Sequence, residues 1–214
     1  MIKSNKTLIA VDGPAATGKG SLARKLAQQL DLEYIDTGKL YRKLATQYHK
    51  IIRQELSDQS IIDILSSEHS GNLSSDHIGI QASALARNHK IRKMVTEISR
   101  KMAHESKNGA ILDGRDVGST ILPDANCKLY ITAKPFIRAE RRFKELKKAR
   151  RIAYKQILFK LIQRDIRDSH RTHSPLQKTE DASIIDNSFM NLEETLLLAQ
   201  NIIRKKCPGC SSSI

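Results

Sequence analysis

Short apolar runs alternate with longer amphipathic stretches along most of the chain. Five runs have the length and composition of buried strands, and they are Leu8–Asp12, Glu33–Asp36, Ala110–Asp113, Lys128–Thr132 and Ser183–Asp186. Six stretches show helical periodicity, and they are Gly18–Leu30, Gly38–Glu55, Ala84–Glu105, Pro135–Ala149, Ala153–Ser169 and Leu192–Lys206. This alternation is typical of a parallel sheet covered on both faces. We therefore predict an α/β fold of three layers, α/β/α, with a five-stranded parallel sheet in a single domain spanning residues 1–214.

Polar clusters follow three of the predicted strands. They read Asp12-Gly13, Asp36-Thr37-Gly38 and Asp113-Gly114-Arg115-Asp116. In open parallel sheets, ligands bind at the carboxyl ends of the strands. The three clusters are therefore expected to meet at one ligand site.

The first cluster continues into a glycine-punctuated loop, GPAATGKGS, at residues 13–21. Its spacing lets successive backbone N–H groups turn around a phosphate, and the next helix points its positive end at the same anion. Lys19 adds a charge for the β- and γ-phosphate oxygens, and Ser21 adds a hydroxyl for magnesium. The alternative is a tight strand-to-helix turn without a ligand. The predicted ATP-binding residues of this loop are Gly13, Pro14, Ala15, Ala16, Thr17, Gly18, Lys19, Gly20 and Ser21.

The loop departs from the strict Walker pattern in one position. That pattern has Ser or Thr directly after the lysine, whereas Gly20 intervenes here before Ser21. The form Gly-Lys-Gly-Ser is similar to that of kinases that act on small nucleoside monophosphates.

The charge of the chain indicates anionic partners. Its 37 Lys and Arg against 23 Asp and Glu give a formal net charge of +14, which suits nucleotides or nucleic acid. Only 4% of the residues are aromatic and none is Trp, so the stacking platforms of single-strand binders are scarce. Nucleotide pockets fit this composition better, and nucleic acid is not expected as a partner.

Cysteine usage and hydropathy indicate a reducing compartment. The three cysteines, Cys127, Cys207 and Cys210, do not make a disulfide framework, and no apolar run has the length of a membrane span. We expect a cytoplasmic protein with no membrane partner. The lone Cys207-Pro-Gly-Cys210 lacks further zinc ligands nearby and is interpreted as part of a disordered tail at residues 207–214.

The excess positive charge is concentrated in one segment. Between residues 134 and 178, Lys and Arg outnumber Asp and Glu by 15 to 4. A solvated face accounts for part of this run, and the rest indicates bound anions. Within it, RDIRDSHR places Arg164, Asp168 and Arg171 on one helical face. An exposed ladder of ion pairs is the alternative, and it is favoured for Arg167.

Several longer motifs together resemble those of bacterial cytidylate kinases, within the nucleoside monophosphate kinase family and its P-loop NTPase fold. The resemblance runs from the P-loop to the helix ending near Lys206. The motifs are VDGPAATGKGS, IDTGKLYRKLA, SALARNHKIR, LDGRDVGSTILPDA, the pair Arg141-Arg142, and RDIRDSHR.

The resemblance implies roles for individual residues. Arg42, Arg115 and Arg171 would hold the acceptor phosphate and, with Lys19, form the catalytic set. Ser83, Arg92 and Asp116 would face the cytosine ring, and Arg164 and Asp168 would contact the ribose. The predicted CMP-binding residues are therefore Thr37, Tyr41, Arg42, Ser83, Arg92, Arg115, Asp116, Arg164, Asp168 and Arg171.

The resemblance also implies two closing segments. A lid at about residues 145–165 would cover ATP, with Arg141, Arg150 and Arg151 binding the donor, while Asp186-Asn187-Ser188 would wrap the adenine. A monophosphate-binding insertion is expected at about residues 39–95. Its part from Ser57 to Ile80 shows little of the small-sheet pattern expected of bacterial members, so the insertion is interpreted as abbreviated.

The implied function is ATP-dependent phosphorylation of CMP, and of dCMP, with Mg²⁺, by direct transfer in a monomer. Two alternatives remain open at this point. One is a P-loop kinase for another small acceptor such as UMP, AMP or shikimate. The other is a non-catalytic, basic RNA- or ribosome-binding protein.

Overall fold

Five parallel strands form the centre of the computed structural model, which describes residues 6–67, 73, 75–147 and 153–208. The strands are β1 (Thr7–Asp12), β2 (Glu33–Asp36), β3 (Gly109–Asp113), β4 (Cys127–Thr132) and β5 (Ser183–Asp186). Their order in the sheet is β2-β3-β1-β4-β5. Because β1 is central, its carboxyl end has β3 on one side and β4 on the other.

Helices connect the strands. Those before β3 are α1 (Lys19–Leu30), α2 (Thr37–Ala45), α3 (Tyr48–Ile52), α4 (Asp58–Ser66), α5 (Asp76–Leu85) and α6 (His89–Glu105). A π-helical turn, Val117–Ile121, follows β3. The later helices are α7 (Pro135–Lys147), α8 (Tyr154–Ser169) and α9 (Leu192–Lys206).

The core lies on both faces of the sheet. On one face, Leu22 and Leu26 of α1 and Leu196 and Ile203 of α9 pack against Ile9 and its neighbours. On the other face, Ala103 of α6 lies in a second cluster with side chains of β1, β2 and β3. A strand buried on both faces reads as a continuous apolar run, which is how these strands were identified. The predicted three-layer α/β fold with a five-stranded parallel sheet is confirmed.

Two further clusters extend the core beyond the sheet. Helices α2 to α6 share a cluster that includes Leu44, Leu65 and Leu85. The hairpin of α7 and α8 packs through Ala139, Ile157 and Leu161 against Ala15 of the P-loop. The first group includes α2, which directly follows the carboxyl end of β2, and the second packs on the P-loop, which follows the carboxyl end of β1.

Local capping divides two of the predicted helices. The stretch predicted as Gly38–Glu55 forms α2 and α3, and Ala84–Glu105 spans the end of α5 and all of α6. Asn88 starts α6 by accepting a hydrogen bond from the backbone N–H of Ile91, 3.1 Å away. An N-cap of this kind starts a new helix, while the apolar periodicity continues across the break between the two helices. In the described part of residues 57–80 the chain forms α4 and the start of α5 and no strand.

Cys207 differs from the prediction of a disordered tail. Its side chain is 7% exposed and belongs to the same core cluster as Ile203. The prediction was wrong for this residue because Leu196, Ala199, Ile203 and Cys207 continue one helical stripe at spacings of three and four. The cysteine packs there as a small hydrophobic side chain. Cys210 lies outside the described residues.

Candidate active site

The P-loop, residues 13–21, begins where β1 ends. Gly13 has a φ of +147°, and a Cβ there would overlap the carbonyl oxygen of Ile131 on β4. Gly18, with a φ of 84°, precedes the first residue of α1. Only glycine accepts both the backbone conformation and the close approach at Gly13. The two glycines thus turn the chain from the strand into the helix, as the sequence predicts.

Asp12 ties this loop to the loop that follows β3. Its buried carboxylate accepts hydrogen bonds from the backbone N–H groups of Val117, at 2.9 Å, and Gly118, at 2.7 Å. Burial raises the pKa of Asp12 to about 6, although the two N–H groups act in the opposite direction. Asp12 therefore fixes the position of the chain that carries Arg115 and Asp116.

Lys19 is buried among other cations. Its side-chain Nζ donates a hydrogen bond to the carbonyl oxygen of Pro14 at 3.1 Å. Burial, together with the charges of Arg115 and Arg164, lowers the pKa of Lys19 to about 7, and Asp113 and Asp12 oppose the shift. An anion bound in front of this lysine would stabilise its charged form.

Asp113 is a site residue that our sequence analysis did not single out. A Cβ at Gly20 would lie 2.9 Å from the Oδ2 atom of Asp113, so the carboxylate occupies the space next to that glycine. This proximity explains why glycine stands where the strict Walker pattern has Ser or Thr. Among the described residues, the buried Oδ1 atom of Asp113 has no hydrogen-bond partner. Burial raises the pKa of this carboxyl, and Lys19 lowers it. The signal in the sequence was its place at the end of a buried strand next to β1.

In front of Lys19 lies a cavity of about 230 Å³, here called the arginine cavity. Helix α2, helix α5, the loop after β3 and helix α8 supply its walls. It brings together most of the residues predicted for CMP and for catalysis, namely Lys19, Thr37, Tyr41, Arg42, Ser83, Arg115, Asp116, Arg164, Asp168 and Arg171. Residues from five separate motifs thus line a single space.

Two carboxylates organise the guanidinium groups of the arginine cavity. The Oδ2 atom of Asp168 lies 3.1 Å from the Nε atom of Arg115 and 3.8 Å from that of Arg164. The Oδ1 atom of Asp116 lies 3.1 Å from the Nη2 atom of Arg171. Each arginine keeps other N–H donors, because a guanidinium has five. The arrangement leaves a surplus of positive charge facing the cavity, which is suited to a phosphate dianion.

Arg92 is the exception among the predicted base-contacting residues. It does not line the arginine cavity but lies behind Asp116, with its Nη1 atom 2.7 Å from the Oδ2 atom of that carboxylate. Its Nε atom donates to the carbonyl oxygen of Ala86 at 2.9 Å, and its guanidinium lies 5.6 Å from the ring centre of Tyr41. In this structure Arg92 orients Asp116 instead of facing a ligand.

Thr37 and Arg42 are also held by backbone groups. The Thr37 hydroxyl donates to the carbonyl oxygen of Asp113 at 2.8 Å, and the Nη1 atom of Arg42 donates to that of Leu73 at 2.7 Å. The first bond connects α2 to the end of β3 at the arginine cavity, and the second connects α2 to the chain before α5. The remaining donors of Arg42 are not used by these bonds.

A second cavity, lined by other residues, adjoins the P-loop. Thr17, Gly18, Ser21, Arg141 and Asn187 are among its lining residues. Arg141 donates to the side-chain oxygen of Asn187 at 3.0 Å, and the Asn187 amide donates to the carbonyl oxygen of Thr17 at 2.9 Å. Ser21 is exposed there, away from the arginine cavity. Arg150 and Arg151 lie outside the described residues.

No helix among the described residues has the length and apolarity needed to cross a bilayer. Within the same residues, no group of three or more His, Cys, Asp or Glu side chains is placed to hold a metal ion.

Solved structures with the same fold include kinases of other small molecules. Shikimate kinase from Bacteroides thetaiotaomicron superposes with a TM-score of 0.52 at 12% identity, covering 92% of this chain and 98% of that one. A gluconokinase from Sinorhizobium meliloti 1021 superposes with a TM-score of 0.54 at 10% identity, covering 97% of each chain. At these identities the likeness is one of fold alone.

Other proteins have a much higher sequence identity to this chain than these solved structures have. The cytidylate kinase of Azorhizobium caulinodans is 38% identical over 206 residues, covering 92% of this chain and 98% of that protein. The cytidylate kinase of Bartonella henselae is 40% identical over 205 residues, covering 92% and 94% respectively. The family model for cytidylate kinase matches residues 9–205. The chain therefore belongs to the cytidylate kinase family.

Proposed function

We propose that this chain, a phosphotransferase of the cytidylate kinase family, moves the γ-phosphoryl group of ATP to the phosphate of CMP bound in the arginine cavity. The observation that carries the proposal is the convergence of Lys19, Arg42, Arg115 and Arg171 on one space beside the P-loop. Phosphoryl transfer needs reactants in line and charge stabilisation on the moving group, and little covalent work from the protein.

The phosphate end of CMP would lie among these four cations. Guanidinium groups bind phosphate oxygens through pairs of parallel hydrogen bonds, which fixes the direction of the attacking oxygen. Lys19, at the start of α1, would contact the phosphates of ATP from the P-loop side. The pKa of Lys19 is lowered because its positive charge is buried close to other cations, which raises the free energy of the charged form. Nucleotide phosphates would remove this cost and strengthen the charge in the reacting complex.

The base end would lie beside Asp116 and Ser83. An ionised carboxylate only accepts hydrogen bonds, so Asp116 suits the exocyclic amine of cytosine and opposes the carbonyl of uracil. One of its oxygens accepts a hydrogen bond from Arg92 and the other forms an ion pair with Arg171, and both retain capacity for another donor. Tyr41 would form part of the base pocket, and Arg164 and Asp168 would contact the ribose. Nothing in this arrangement separates CMP from dCMP, and both are proposed as substrates.

The residues present fit a magnesium ion that travels with ATP. The unpartnered Oδ1 atom of Asp113, buried near Lys19, is the kind of hard oxygen that Mg²⁺ binds directly or through water. Asp113 would hold it from the side of the arginine cavity, and the Ser21 hydroxyl from the side of the second cavity, through which ATP would enter. When bound, the ion supplies charge neutralisation on the β- and γ-phosphates.

The donor would enter through the second cavity. Arg141 and Asn187 line it and are hydrogen-bonded to each other, with Asn187 linked to the P-loop at Thr17. We propose that the adenine lies there, and that the lid at about residues 145–165, with Arg150 and Arg151, excludes water. A monomer and a cytoplasmic location remain predictions.

Measurement of ADP release against CMP, dCMP, UMP, AMP and shikimate, with magnesium present and absent, tests this proposal. We expect CMP and dCMP to be used far better than the others, and Lys19→Ala to abolish turnover without lowering the melting temperature. Equal use of CMP, UMP and AMP would overturn the assignment of the acceptor. RNA retention in a filter-binding assay, together with no ADP release, would favour the non-catalytic alternative.

A further inference from the structure

A single ion pair holds both backbone polar groups of one P-loop residue. The N–H group of Ala15 donates to the Oδ1 atom of Asp165 at 3.1 Å. The carbonyl oxygen of Ala15 accepts from the Nη1 atom of Arg138 at 2.9 Å. The same Nη1 atom lies 2.6 Å from the Oδ2 atom of Asp165. Residues far apart in the sequence, on α7 and α8, therefore hold the P-loop in place together.

The pair is built into the core of the hairpin. The Arg138 side chain is 4% exposed and that of Asp165 is 18% exposed. The Nε atom of Arg138 donates to the carbonyl oxygen of Ala133 at 2.9 Å, at the end of β4. The methyl group of Ala15 packs in the same apolar cluster as Ile157. A buried ion pair with all these hydrogen bonds has a defined geometry, unlike an exposed one.

The position of Asp165 on α8 connects two sites. It directly follows Arg164 and lies three residues before Asp168, both of which line the arginine cavity. One turn of α8 thus touches the P-loop through Asp165 and the arginine cavity through its neighbours. Neither Arg138 nor Asp165 lines that cavity.

We propose that Arg138 and Asp165 are positioning residues that hold the P-loop in register with the arginine cavity, and that Arg138 also neutralises Asp165 next to the ATP phosphates. The proposal rests on the P-loop binding ATP phosphates, as set out above. A carboxylate at the backbone of Ala15 lies beside the phosphate-binding loop. Without its arginine it would repel the polyphosphate, and the repulsion would be strong in this poorly solvated place.

Because of this charge, Arg138→Gln and Asp165→Asn are expected to change the KM for ATP by different amounts. Arg138→Gln leaves an unpaired carboxylate beside the P-loop, and we expect the KM for ATP to rise at least about tenfold, the effect of losing one charge-assisted hydrogen bond. Asp165→Asn removes the negative charge and is expected to raise that KM less. In the double variant Arg138→Gln/Asp165→Asn the repulsion is absent, so the KM for ATP is expected to fall below that of Arg138→Gln. The KM for CMP should change less than that for ATP in Arg138→Gln.

Steady-state kinetics for ATP and CMP, thermal melting, and titration with a fluorescent ATP analogue in the absence of CMP provide the readouts. The analogue titration does not depend on the acceptor, so it separates failure of this inference from failure of the proposed function. The matched control is Glu140→Gln/Lys144→Gln, which removes an exposed ion pair of 2.7 Å from the same helix α7 and should leave both KM values unchanged. If Arg138→Gln does not fold, Arg138→Lys retains the charge, and its KM for ATP is expected to rise only a fewfold.

A purely structural role gives a different pattern. In that case Arg138→Gln, or Arg138→Lys, lowers the melting temperature while the affinity for the ATP analogue and the KM for ATP stay at the wild-type values. That result would overturn the proposal. A double variant with weaker ATP binding than Arg138→Gln would also overturn it, because the repulsion would then not be the cause.

Discussion

Asp116→Asn is the substitution that best tests how the base is recognised. In the structure Asp116 is 5% exposed; its Oδ2 atom accepts a hydrogen bond from Arg92 at 2.7 Å, and its Oδ1 atom forms an ion pair with Arg171 at 3.1 Å. Asparagine keeps the shape but only one acceptor oxygen. One guanidinium is therefore left without its partner, which costs about 1.5–3 kcal/mol for a hydrogen bond to a charged group. For a chain of this length, that loss corresponds to a fall in melting temperature of roughly 3–12 °C.

Asp116→Asn also changes the hydrogen-bonding groups that face the base in the arginine cavity. The asparagine amide donates as well as accepts, so it tolerates the uracil carbonyl that the carboxylate of Asp116 repels. We expect the preference for CMP over UMP in kcat/KM to narrow by about 1–3 kcal/mol, mainly through poorer use of CMP.

Arg92→Gln is the matched variant for this experiment. It breaks the same ion pair from behind, so we expect a similar loss of melting temperature, but a smaller change in the CMP to UMP ratio. Kinetics with both nucleotides and thermal melting of both variants provide the measurements. If the ratio is unchanged in Asp116→Asn, the carboxylate does not recognise the base. If the ratio changes more in Arg92→Gln, the arginine contacts the base directly in the complex.

Three further predictions concern the P-loop and its surroundings. Because the pKa of Lys19 is lowered to about 7, the free protein has largely lost this proton at pH 8. ATP binding at pH 8 should therefore take up a proton, and calorimetry in buffers of different ionisation enthalpy should detect the uptake in the wild type and not in Lys19→Met. In Gly20→Ala the new methyl group meets the Asp113 carboxylate at 2.9 Å, and we expect slower single-turnover transfer and a stability loss of about 1–3 kcal/mol. The pKa of Asp12 is raised to about 6, so its contribution to stability is present below pH ~4 and is lost as the pH rises to about 6. The difference in melting temperature between wild type and Asp12→Asn should therefore decrease over this range, and a constant difference would refute the shift.

The strands and the P-loop were predictable because their signals are local. Strands buried on both faces must be apolar at nearly every position, so β1 and β3 were located to within a residue at each end. The meeting of the three polar clusters at one site could be predicted because ligands bind at the carboxyl ends of parallel strands. The motifs then indicated which side chains share the arginine cavity.

Features that depend on long-range pairing were not predictable. The placement of Arg92 behind Asp116 depends on how α6 packs against the loop after β3, and the bonds of Arg138 and Asp165 to Ala15 depend on how the α7–α8 hairpin folds back. Neither arrangement has a periodicity or a spacing that marks it in the sequence. The importance of Asp113 becomes clear only when the space beside Gly20 is known.

The packing of α9 against α1 and the sheet has a consequence for synthesis of the chain. Ile9 of the first strand and Ile203 of the last helix belong to one cluster with α1, so the two ends of the chain complete the same core. While a ribosome is still translating the segment before α9, β1 and α1 lack these contacts and expose apolar surface. The closing step of folding is therefore expected after α9 has left the exit tunnel, and until then the exposed apolar surface makes the nascent chain prone to aggregation.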